Sequence, residues 1–446
     1  MRDLNNTGIH SQGLKENVQT QLKDICEAKL MESPDHSVFK PIPYRRGGLT
    51  KDLWRLALVV GVAQFSMSVW TWQFGIYLET LVEPWQMGLT FTAGSIAALI
   101  GIPLSGYVSD FIGRRKTLLS AYVPMTAGLF LLFSFPVWPL FPIFYGLVQF
   151  GWGFVVIMAR AAPADQISQD GGRDAGRTFT TVLLPAFAID GLSPLLASVL
   201  LLSGVPQRNL LILGGLGTVL AFIVSAFFVR DTLSTSIQEK ARSGPIISIR
   251  GLGRDFWLLV VGLLGFYISI GLSFPYLGNL VVDDWYVSTA DWGIIWCASS
   301  LTLAAFSYYG GQLADKNLKA GIFLAVLFTA VVIFVHALGE GIIVLLLINI
   351  FWGFVAVVWI ASERALIVQD VGEEQKGRAL STFQAVMSTA QMVMLNVGAW
   401  IWAVSGSLRF LWVVAGVVCL VSLVPLLISM KLITLEDPNG ETVEVQ

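Results

Sequence analysis

The sequence predicts an all-α polytopic membrane protein, with twelve transmembrane helices arranged as two pseudo-symmetric six-helix bundles. Three observations predict this fold class: the composition, an internal repeat and an uneven distribution of positive charge. Hydrophobic residues make up 55% of the chain, charged residues only 13%, and the mean hydropathy is +0.71. Lipid can cover that much apolar surface, whereas a water-soluble domain would leave it exposed.

The chain matches itself at a distance of 200 residues. Trp85 recurs as Trp285, and the Trp-Gly-Phe run that begins at Trp152 recurs at Trp352. Self-similarity at one long period indicates two copies of one structural unit. A duplicated bundle of membrane helices is the usual architecture of a secondary transporter.

A spanning helix needs about 20 predominantly apolar residues, and twelve segments meet that criterion. In the first half they lie near 53–80, 88–109, 117–136, 140–163, 178–203 and 208–230. In the second half they lie near 255–281, 290–313, 318–338, 341–367, 378–404 and 408–431. The predicted organisation is a tail at 1–51, a six-helix bundle at 52–230, a linker at 231–254, a second bundle at 255–431 and a tail at 432–446.

Positive charge predicts the orientation of these helices. All but two of the 28 Lys and Arg residues fall in alternate loops, at the adjoining helix ends or in the tails; the exceptions are Arg208 and Arg409. Because positive charge marks the cytoplasmic side, we expect both termini in the cytoplasm of a cell-membrane protein. The polar N-terminal tail shows no signal peptide pattern.

One loop carries a recognisable motif. Between spans two and three the chain reads Gly106-x-x-x-Asp110-x-x-Gly113-Arg114-Arg115-Lys116. It resembles the signature loop of the major facilitator superfamily and stands where that family has it. The matching loop of the second half keeps Gly311 and Asp315 but loses the Gly-Arg pair. The resemblance covers about residues 50–431 and implies a transporter whose two halves rock against each other.

The chemistry of the loop fits a cytoplasmic latch. Asp110 at the membrane edge can meet the positive N-terminal end of a neighbouring helix, and Arg114 and Arg115 can pair with carboxylates at adjacent helix ends. Plain positive-inside charge is the alternative interpretation. The loops after spans four and ten also resemble the family, which implies that Asp170, Asp370, Arg177 and Arg378 serve gating or assembly.

Two departures from the family pattern bear on function. Drug-exporting members commonly carry an Arg near the middle of span four, where this chain has Tyr145-Gly146-Leu147. They often carry Gly-Pro-x-x-Gly-Gly in span five, where this chain reads Gly191-Leu-Ser-Pro194. Proton-driven efflux of drugs or metabolites by an antiporter is therefore the alternative rather than the preferred function.

Asp190 is the clearest candidate site residue. A charge at the bilayer centre costs at least about 2.5–3.5 kcal/mol, so it is treated as functional by default. Asp190 lies near the midpoint of span five, with no basic residue of that span at its depth. We expect it to bind a proton or the substrate. The alternative is a carboxylate hydrogen-bonded to Ser, Thr or a backbone opened by Pro185 and Pro194.

Spans four and ten carry further charges near the cytoplasmic end. Arg160 lies about two turns inside span four with Asp165 below it, and span ten has Glu363 and Arg364 at a similar depth. In the family these spans face each other, which implies that Arg160 and Glu363 could pair to close an inner gate. Arg160 could instead bind an anionic substrate, or both side chains could snorkel to the headgroups.

Polar and aromatic side chains complete the candidate cavity. The residues expected to contact substrate are Gln64, Trp72 and Gln73 on span one, Tyr267 and Asn279 on span seven, and Gln391 on span eleven. Aromatic walls with a few amides suit an organic solute, although single aromatic residues can also face lipid. His336 is expected at the headgroup level.

The remaining features exclude other classes. The chain has no His-Glu-x-x-His, no nucleophile elbow and no phosphate loop, so neither enzymatic chemistry nor ATP drive is expected. Its three Cys residues fit neither a disulfide framework nor a zinc site. We expect no metal, cofactor or nucleic acid. The predicted function is proton-linked (symport) or facilitative transport of a small organic solute by a monomer in the lipid bilayer, working by alternating access. A non-transporting sensor on the same fold is a further alternative.

Overall fold

The computed structural model describes residues 49–169, 175–229, 252–369 and 376–433. The helices of the first half are α1 Lys51–Ser68, α2 Thr71–Glu79, α3 Pro84–Ile112, α4 Arg114–Ser134, α5 Leu140–Gln169, α6 Ala175–Leu202 and α7 Asn209–Phe228. Those of the second half are α8 Arg254–Ser273, α9 Leu277–Asp283, α10 Thr289–Lys316, α11 Leu318–Leu338, α12 Ile342–Gln369, α13 Lys376–Ser405 and α14 Leu408–Leu432. The predicted fold class is confirmed.

Spans one and seven are each broken near the same level, and the causes differ. In span one the Trp70 indole donates to the Ser66 carbonyl at 2.8 Å, so the Trp70 amide bonds the Met67 carbonyl instead, at 3.3 Å. In span seven Pro275 lacks the amide hydrogen that a continuous helix needs. A short 3₁₀ turn, Phe274–Tyr276, replaces the helix there. The short pieces α2 and α9 result from these two breaks. We call the end of the molecule at which α2 and α9 lie its outer end.

The two halves meet along several pairs of helices. Within the halves, α3 and α4 pack on α5, and α8 packs on α13 and α14. Between the halves, α6 packs on α10 and α3 packs on α13. The outer pieces α2 and α9 also pack on each other. Side chains of α6 and α10, or of α3 and α13, can therefore form a site that both halves share.

Ten helical segments of the described ranges are long and apolar enough to cross a membrane. Helices α10 and α13 are not among the ten, yet they are 28 and 30 residues long and occupy the places of predicted spans eight and eleven. Both pack against the other half of the molecule. Helices at such an interface can carry polar side chains that lipid-facing helices cannot, which lowers their hydropathy. The helix order is consistent with twelve spans.

Candidate functional site

Asp190 joins the two halves of the molecule. On α6, its Oδ1 accepts hydrogen bonds from Gln64 Nε2 at 2.9 Å and from the Ser68 hydroxyl, both on α1. Its Oδ2 accepts a hydrogen bond from the Ser300 hydroxyl at 2.9 Å, on α10 of the other half. Gln64 Nε2 also donates to Ser68 Oγ at 2.8 Å. The carboxyl group is thus held by three neutral donors from two helices.

Close helix packing positions these donors. A Cβ atom at Gly191 would lie 2.9 Å from the Leu301 side chain, so α10 approaches α6 closely beside Asp190. A Cβ atom at Gly61 would lie 3.2 Å from the Pro185 side chain, so α1 also approaches α6 closely. Small residues permit such approaches between membrane helices. The serine hydrogen bonds that formed the alternative interpretation of Asp190 are present, and they come from both halves.

An apolar layer lies between Asp190 and the outer end of the molecule. On α2, one turn beyond Ser68, the Trp72 ring lies 2.7 Å from where a Cβ at Gly293 would stand. A Cβ at Gly278 would lie 3.2 Å from both the Trp72 carbonyl oxygen and Ile76. We call Trp72, Ile76 and Gly278 the outer seal. Because α2 and α9 touch here, the two halves are in contact at this end of the molecule.

A polar cluster lies beyond the outer seal. Asn279 Nδ2 on α9 donates a hydrogen bond to Glu79 Oε2 on α2, at 2.5 Å. The Asp283 carboxyl group, also on α9, lies close enough to Glu79 for the two charges to interact. Asn279 is completely buried, and its Oδ1 has no hydrogen-bond partner. This cluster, Glu79, Asn279 and Asp283, is the outer polar cluster.

Arg409 lies near this cluster and binds other groups. Its Nη2 donates to the Asp284 carbonyl oxygen at 3.0 Å, and its guanidinium lies 3.8 Å from the carboxylates of Asp284 and Glu340. Asp284 lies beyond the end of α9. Partial burial raises the pKa of the Asp284 carboxyl above its ordinary value, and the Arg409 charge opposes that shift.

Glu363 is buried in an aromatic cluster of the second half. Its Oε2 accepts hydrogen bonds from the Tyr267 hydroxyl at 2.6 Å and from Trp359 Nε1 at 2.7 Å. The rings of Tyr267 and Trp359 stand edge to face, with centroids 5.7 Å apart. Glu363 therefore points into the bundle rather than toward the headgroups. The predicted pair with Arg160 stays a prediction, because the structure describes only the backbone of Arg160.

The remaining amide candidates differ in their surroundings. Gln73 is completely buried, and neither of its side-chain polar atoms has a partner. Gln391 is half-buried on α13, and its Cα lies 2.8 Å from where a Cβ at Gly271 would stand. Asn396, another residue of α13, donates to the Thr92 hydroxyl across the halves at 2.6 Å. Polar contacts therefore join α13 to α3 as well as α10 to α6.

His336 differs from the sequence expectation. It lies in the last turn of α11, but it is 1% exposed. Its ring lies between the rings of Trp285 and Trp412, and its Nδ1 lies 2.8 Å from the Val332 carbonyl oxygen. The expectation of a headgroup position was wrong because an aromatic pocket of its own half covers the imidazole.

The signature loop is described in part. Gly113 joins α3 to α4 with φ 92° and ψ 156°, a conformation essentially restricted to glycine. Arg115 donates to the Ala226 carbonyl near the end of α7. Arg114 and Arg364 are half-buried. The structure describes only the backbone for Gly106, Asp110, Asp165, Arg177, Asp315 and Arg378, and Asp170 and Asp370 lie outside the described residues.

Several contacts were not predicted from the sequence. Ser68 and Ser300 resemble any other membrane serine, and no sequence signal distinguishes them. Glu79 is not among the site residues predicted from the sequence, although its partner Asn279 stands one repeat length away in the chain. Within the described ranges, no group of three or more His, Cys, Asp or Glu side chains could hold a metal ion.

The helical halves and their shared polar interface define a class, the multi-pass membrane transporters. The family model of the Major Facilitator Superfamily matches residues 56–370, and the chain belongs to this superfamily. A crystal structure of the nucleoside transporter NupG is 13% identical with a TM-score of 0.66, over 85% of this chain and 99% of that chain. The human organic anion transporter MFSD10 (TETRAN) is 17% identical with a TM-score of 0.62, over 84% of this chain and 99% of that chain. These likenesses show the fold. No curated protein matches the chain.

Proposed function

We propose that this protein is a secondary transporter of a small organic solute in the cell membrane, proton-linked or facilitative, with both termini in the cytoplasm. It works by alternating access of the two helical halves. The observation that carries the proposal is the contact of Asp190 with Gln64 and Ser68 on one side and with Ser300 on the other. One half-buried carboxyl group thereby takes hydrogen bonds from both halves.

The geometry links Asp190 to movement of the halves. If α10 moves away from α6, Oδ2 loses its bond to Ser300 and must find another donor. A proton or a hydrogen-bond donor of the solute can fill that place, because a carboxylate largely withdrawn from water is costly to leave without a donor. Asp190 would then bind its ligand in one conformation and release it in the other, which is the requirement for coupling.

The buried side chains near the junction of the halves favour an organic solute. Trp72, Gln73 and Tyr267 bring aromatic rings and an amide to helices of the two halves. Pockets of this kind bind organic molecules through apolar walls and a few polar groups. The two structural neighbours transport a nucleoside and an organic anion, and both are organic solutes.

The cytoplasmic loops are proposed to form the inner gate. The signature loop, with Gly106, Asp110, Arg114, Arg115 and Asp315, would latch the cytoplasmic ends in one conformation. Charge pairs across the same face would come from the second pair of loops, with Asp170, Arg177, Asp370 and Arg378. Deeper in the bundle, further pairs would come from Arg160, Asp165, Glu363 and Arg364.

The latch can be tested at Asp110. Replacing Asp110 with Ala should leave expression intact and slow transport. Normal transport rates in that variant would contradict the latch.

The test uses purified protein in proteoliposomes that contain a pH-sensitive dye. A mixed library of sugars, carboxylates and organic cations is added after a pH jump, and proton movement is recorded for each solute. Coupled transport predicts proton movement that depends on one solute class. Asp190→Asn should abolish that movement while the labelled solute still equilibrates down its own gradient.

The matched control is Ser193→Ala on the same helix, because the Ser193 hydroxyl bonds its own helix at the Ile189 carbonyl oxygen, 2.6 Å away. This variant should transport with the wild-type pH profile. An unchanged pH profile in Asp190→Asn would remove the coupling role. Folded protein that moves no solute across the library would favour a non-transporting role for the fold.

A further inference from the structure

We propose that the oxygen atoms around Asp190 bind a sodium ion between the two halves of the molecule. The ligands are the Asp190 carboxylate, the hydroxyl oxygens of Ser68 and Ser300, and the side-chain oxygen of Gln64. The inference rests on the proposed function, in that Asp190 is taken as the place where a ligand binds during the transport cycle. It deepens that function by naming the class of ligand, a small monovalent cation.

Oxygen atoms from three helices converge on this place. Ser300 Oγ lies 2.9 Å from Asp190 Oδ2, and the Ser68 hydroxyl bonds Oδ1. Gln64 Nε2 lies 2.8 Å from Ser68 Oγ and 2.9 Å from Asp190 Oδ1, and a half turn of the amide group puts its oxygen there instead. Carboxylate, hydroxyl and amide oxygens are the ligands that hard cations prefer. Helices α1, α6 and α10 therefore supply a set of cation ligands.

The negative charge of Asp190 has no cationic side chain beside it. The basic residues of α1, α6 and α10 all lie toward the ends of these helices that are remote from the outer end, at Lys51, Arg55, Arg177 and Lys316. Among the side chains that the structure describes, no ion pair with Asp190 is recorded. An unpaired charge inside a membrane protein is costly. A cation bound at the carboxylate supplies the missing partner.

The end of a helix adds negative potential at the same place. Helix α1 ends at Ser68, one of the ligands, because the chain breaks at Trp70. The C-terminal end of a helix carries partial negative charge, because its last carbonyl groups lack helical amide partners. At this break the carbonyls of Phe65, Ser66 and Met67 accept hydrogen bonds, and none from the described backbone is recorded to the carbonyl of Ser68. Broken helices of transporters bind Na⁺ at such ends.

A second gap in the backbone hydrogen bonds lies in α6. In a continuous helix the Asp190 carbonyl accepts a bond from the amide of residue 194, but residue 194 is Pro and has no amide hydrogen. The Ser193 hydroxyl bonds the neighbouring carbonyl, that of Ile189, at 2.6 Å. The Asp190 carbonyl thus lacks its helical donor. Its partial charge makes a positive ligand more favourable at this level of the helix.

Charge and spacing favour Na⁺ over other cations. One carboxylate balances one positive charge, whereas a divalent ion would leave a net charge inside the membrane. The bonded atoms around Asp190 are 2.8–2.9 Å apart, so a small ion fits with little movement, while K⁺ needs a wider site. Because the carboxylate must be ionised to bind a metal ion, Na⁺ and a proton are alternative ligands of Asp190.

The ligand set connects ion binding to movement of the halves. Gln64, Ser68 and Asp190 belong to the first half, and Ser300 belongs to α10 of the second half. An ion that contacts all four stabilises the arrangement in which α10 packs on α6. When α10 moves away, the ion loses its ligand from the second half and binds more weakly. This difference in affinity between conformations is what allows an ion to shift them.

The test measures Na⁺ binding to the purified full-length protein in detergent. Binding of radioactive Na⁺ is recorded by a scintillation proximity assay at one pH, with N-methyl-D-glucamine as the other cation. We expect saturable binding that unlabelled Na⁺ displaces and that K⁺ displaces roughly tenfold less well. Na⁺ should also raise the temperature of thermal unfolding by a few degrees at about 100 times its Kd.

Two variants and a matched control decide the outcome. Asp190→Asn removes the charge and should abolish binding. Ser300→Ala removes the ligand of the second half and should weaken binding at least about tenfold. Ser193→Ala should bind Na⁺ with wild-type affinity, because the Ser193 hydroxyl bonds its own helix. If Asp190→Asn does not fold, Ser300→Ala carries the test.

Three results would overturn the proposal. The first is a folded wild type that binds no Na⁺. The second is equal Na⁺ affinity in the wild type and in both site variants, which would place the ion elsewhere. The third is displacement by K⁺ as effective as that by Na⁺, which would contradict a site for a small ion.

The same experiment separates this proposal from the proposed function. Because the measurement needs neither solute nor membrane, it gives a result whether or not the protein transports the solutes of the library. Solute-dependent proton movement in proteoliposomes without Na⁺ binding would reject the sodium site alone. Na⁺ binding that depends on Asp190 and Ser300, in a protein that moves no solute, would reject only the transport function.

Discussion

Glu79 and Asn279 stand 200 residues apart, one full repeat, and they bind each other at 2.5 Å between oxygen and nitrogen. Residues related by the internal repeat meet only where they approach the axis that relates the two halves. The same holds for Gly75, which lies opposite the Pro275 carbonyl oxygen. The outer closure is thus built from the two copies of one segment, which carry an acid in one copy and an amide in the other.

Replacing Gly75 with Ala should open the outer closure. The added Cβ would lie 2.7 Å from Asn279 Oδ1 and 3.5 Å from the Pro275 carbonyl oxygen. Overpacking of this kind costs about 1–3 kcal/mol, and separation of α2 from α9 relieves it. The distance between spin labels attached to the two halves at the outer end should lengthen, as measured by double electron–electron resonance. Gly146→Ala is the control, because its nearest neighbours would lie 3.7 Å away. Unchanged distances in Gly75→Ala would contradict the tight closure.

Replacing Ser300 with Ala should weaken the contact between halves at Asp190. The substitution removes the only hydrogen bond recorded to Oδ2 from the part of the chain that the structure describes. A hydrogen bond of this kind contributes about 0.5–1.5 kcal/mol to stability. Thermal unfolding in detergent should occur at lower temperature, and the pH profile of transport should shift. Ser193→Ala should do neither. Equal effects of the two substitutions would remove Ser300 from the site.

Replacing Gly113 with Ala should strain the signature loop. The backbone of Gly113 has φ 92° and ψ 156°, where residues with a Cβ pay about 1–3 kcal/mol. The junction of α3 and α4 should shift, and transport should slow together with a fall in thermal stability. Gly253→Ala is the matched control, since its φ is −64° and a Cβ there meets nothing within 4 Å. A wild-type rate in Gly113→Ala would show that the loop tolerates the change.

Replacing Asp284 with Asn should reduce the pH dependence of stability. Burial raises the pKa of this carboxyl group in the folded protein, so its contribution to stability is present below its ordinary value of 3.8 and is lost as pH rises through the raised pKa. The variant should therefore lose less stability than the wild type over that rise. Thermal unfolding between about pH 4 and pH 7 measures it. Asp291→Asn serves as the control. A steeper dependence in Asp284→Asn would show that attraction to Arg409 exceeds the effect of burial.

The sequence by itself determined the architecture. Lipid offers no hydrogen bonds to the backbone, so apolar helices were the required form of the spans, and the repeat predicted that they form two equivalent halves. The cost of a charge in the membrane also directed attention to Asp190 and Glu363. Those inferences depend only on local composition and on spacing along the chain.

Only the tertiary structure decided which side chains meet. Ser68, Ser300 and Gln64 became the partners of Asp190 because α1, α6 and α10 approach one another there, and a serine in one span carries no information about a carboxylate in another. The partner of Glu79 depended likewise on the break at Trp70, where an indole hydrogen bond diverts the backbone. Such contacts depend on how helices rotate and cross, which hydropathy does not record.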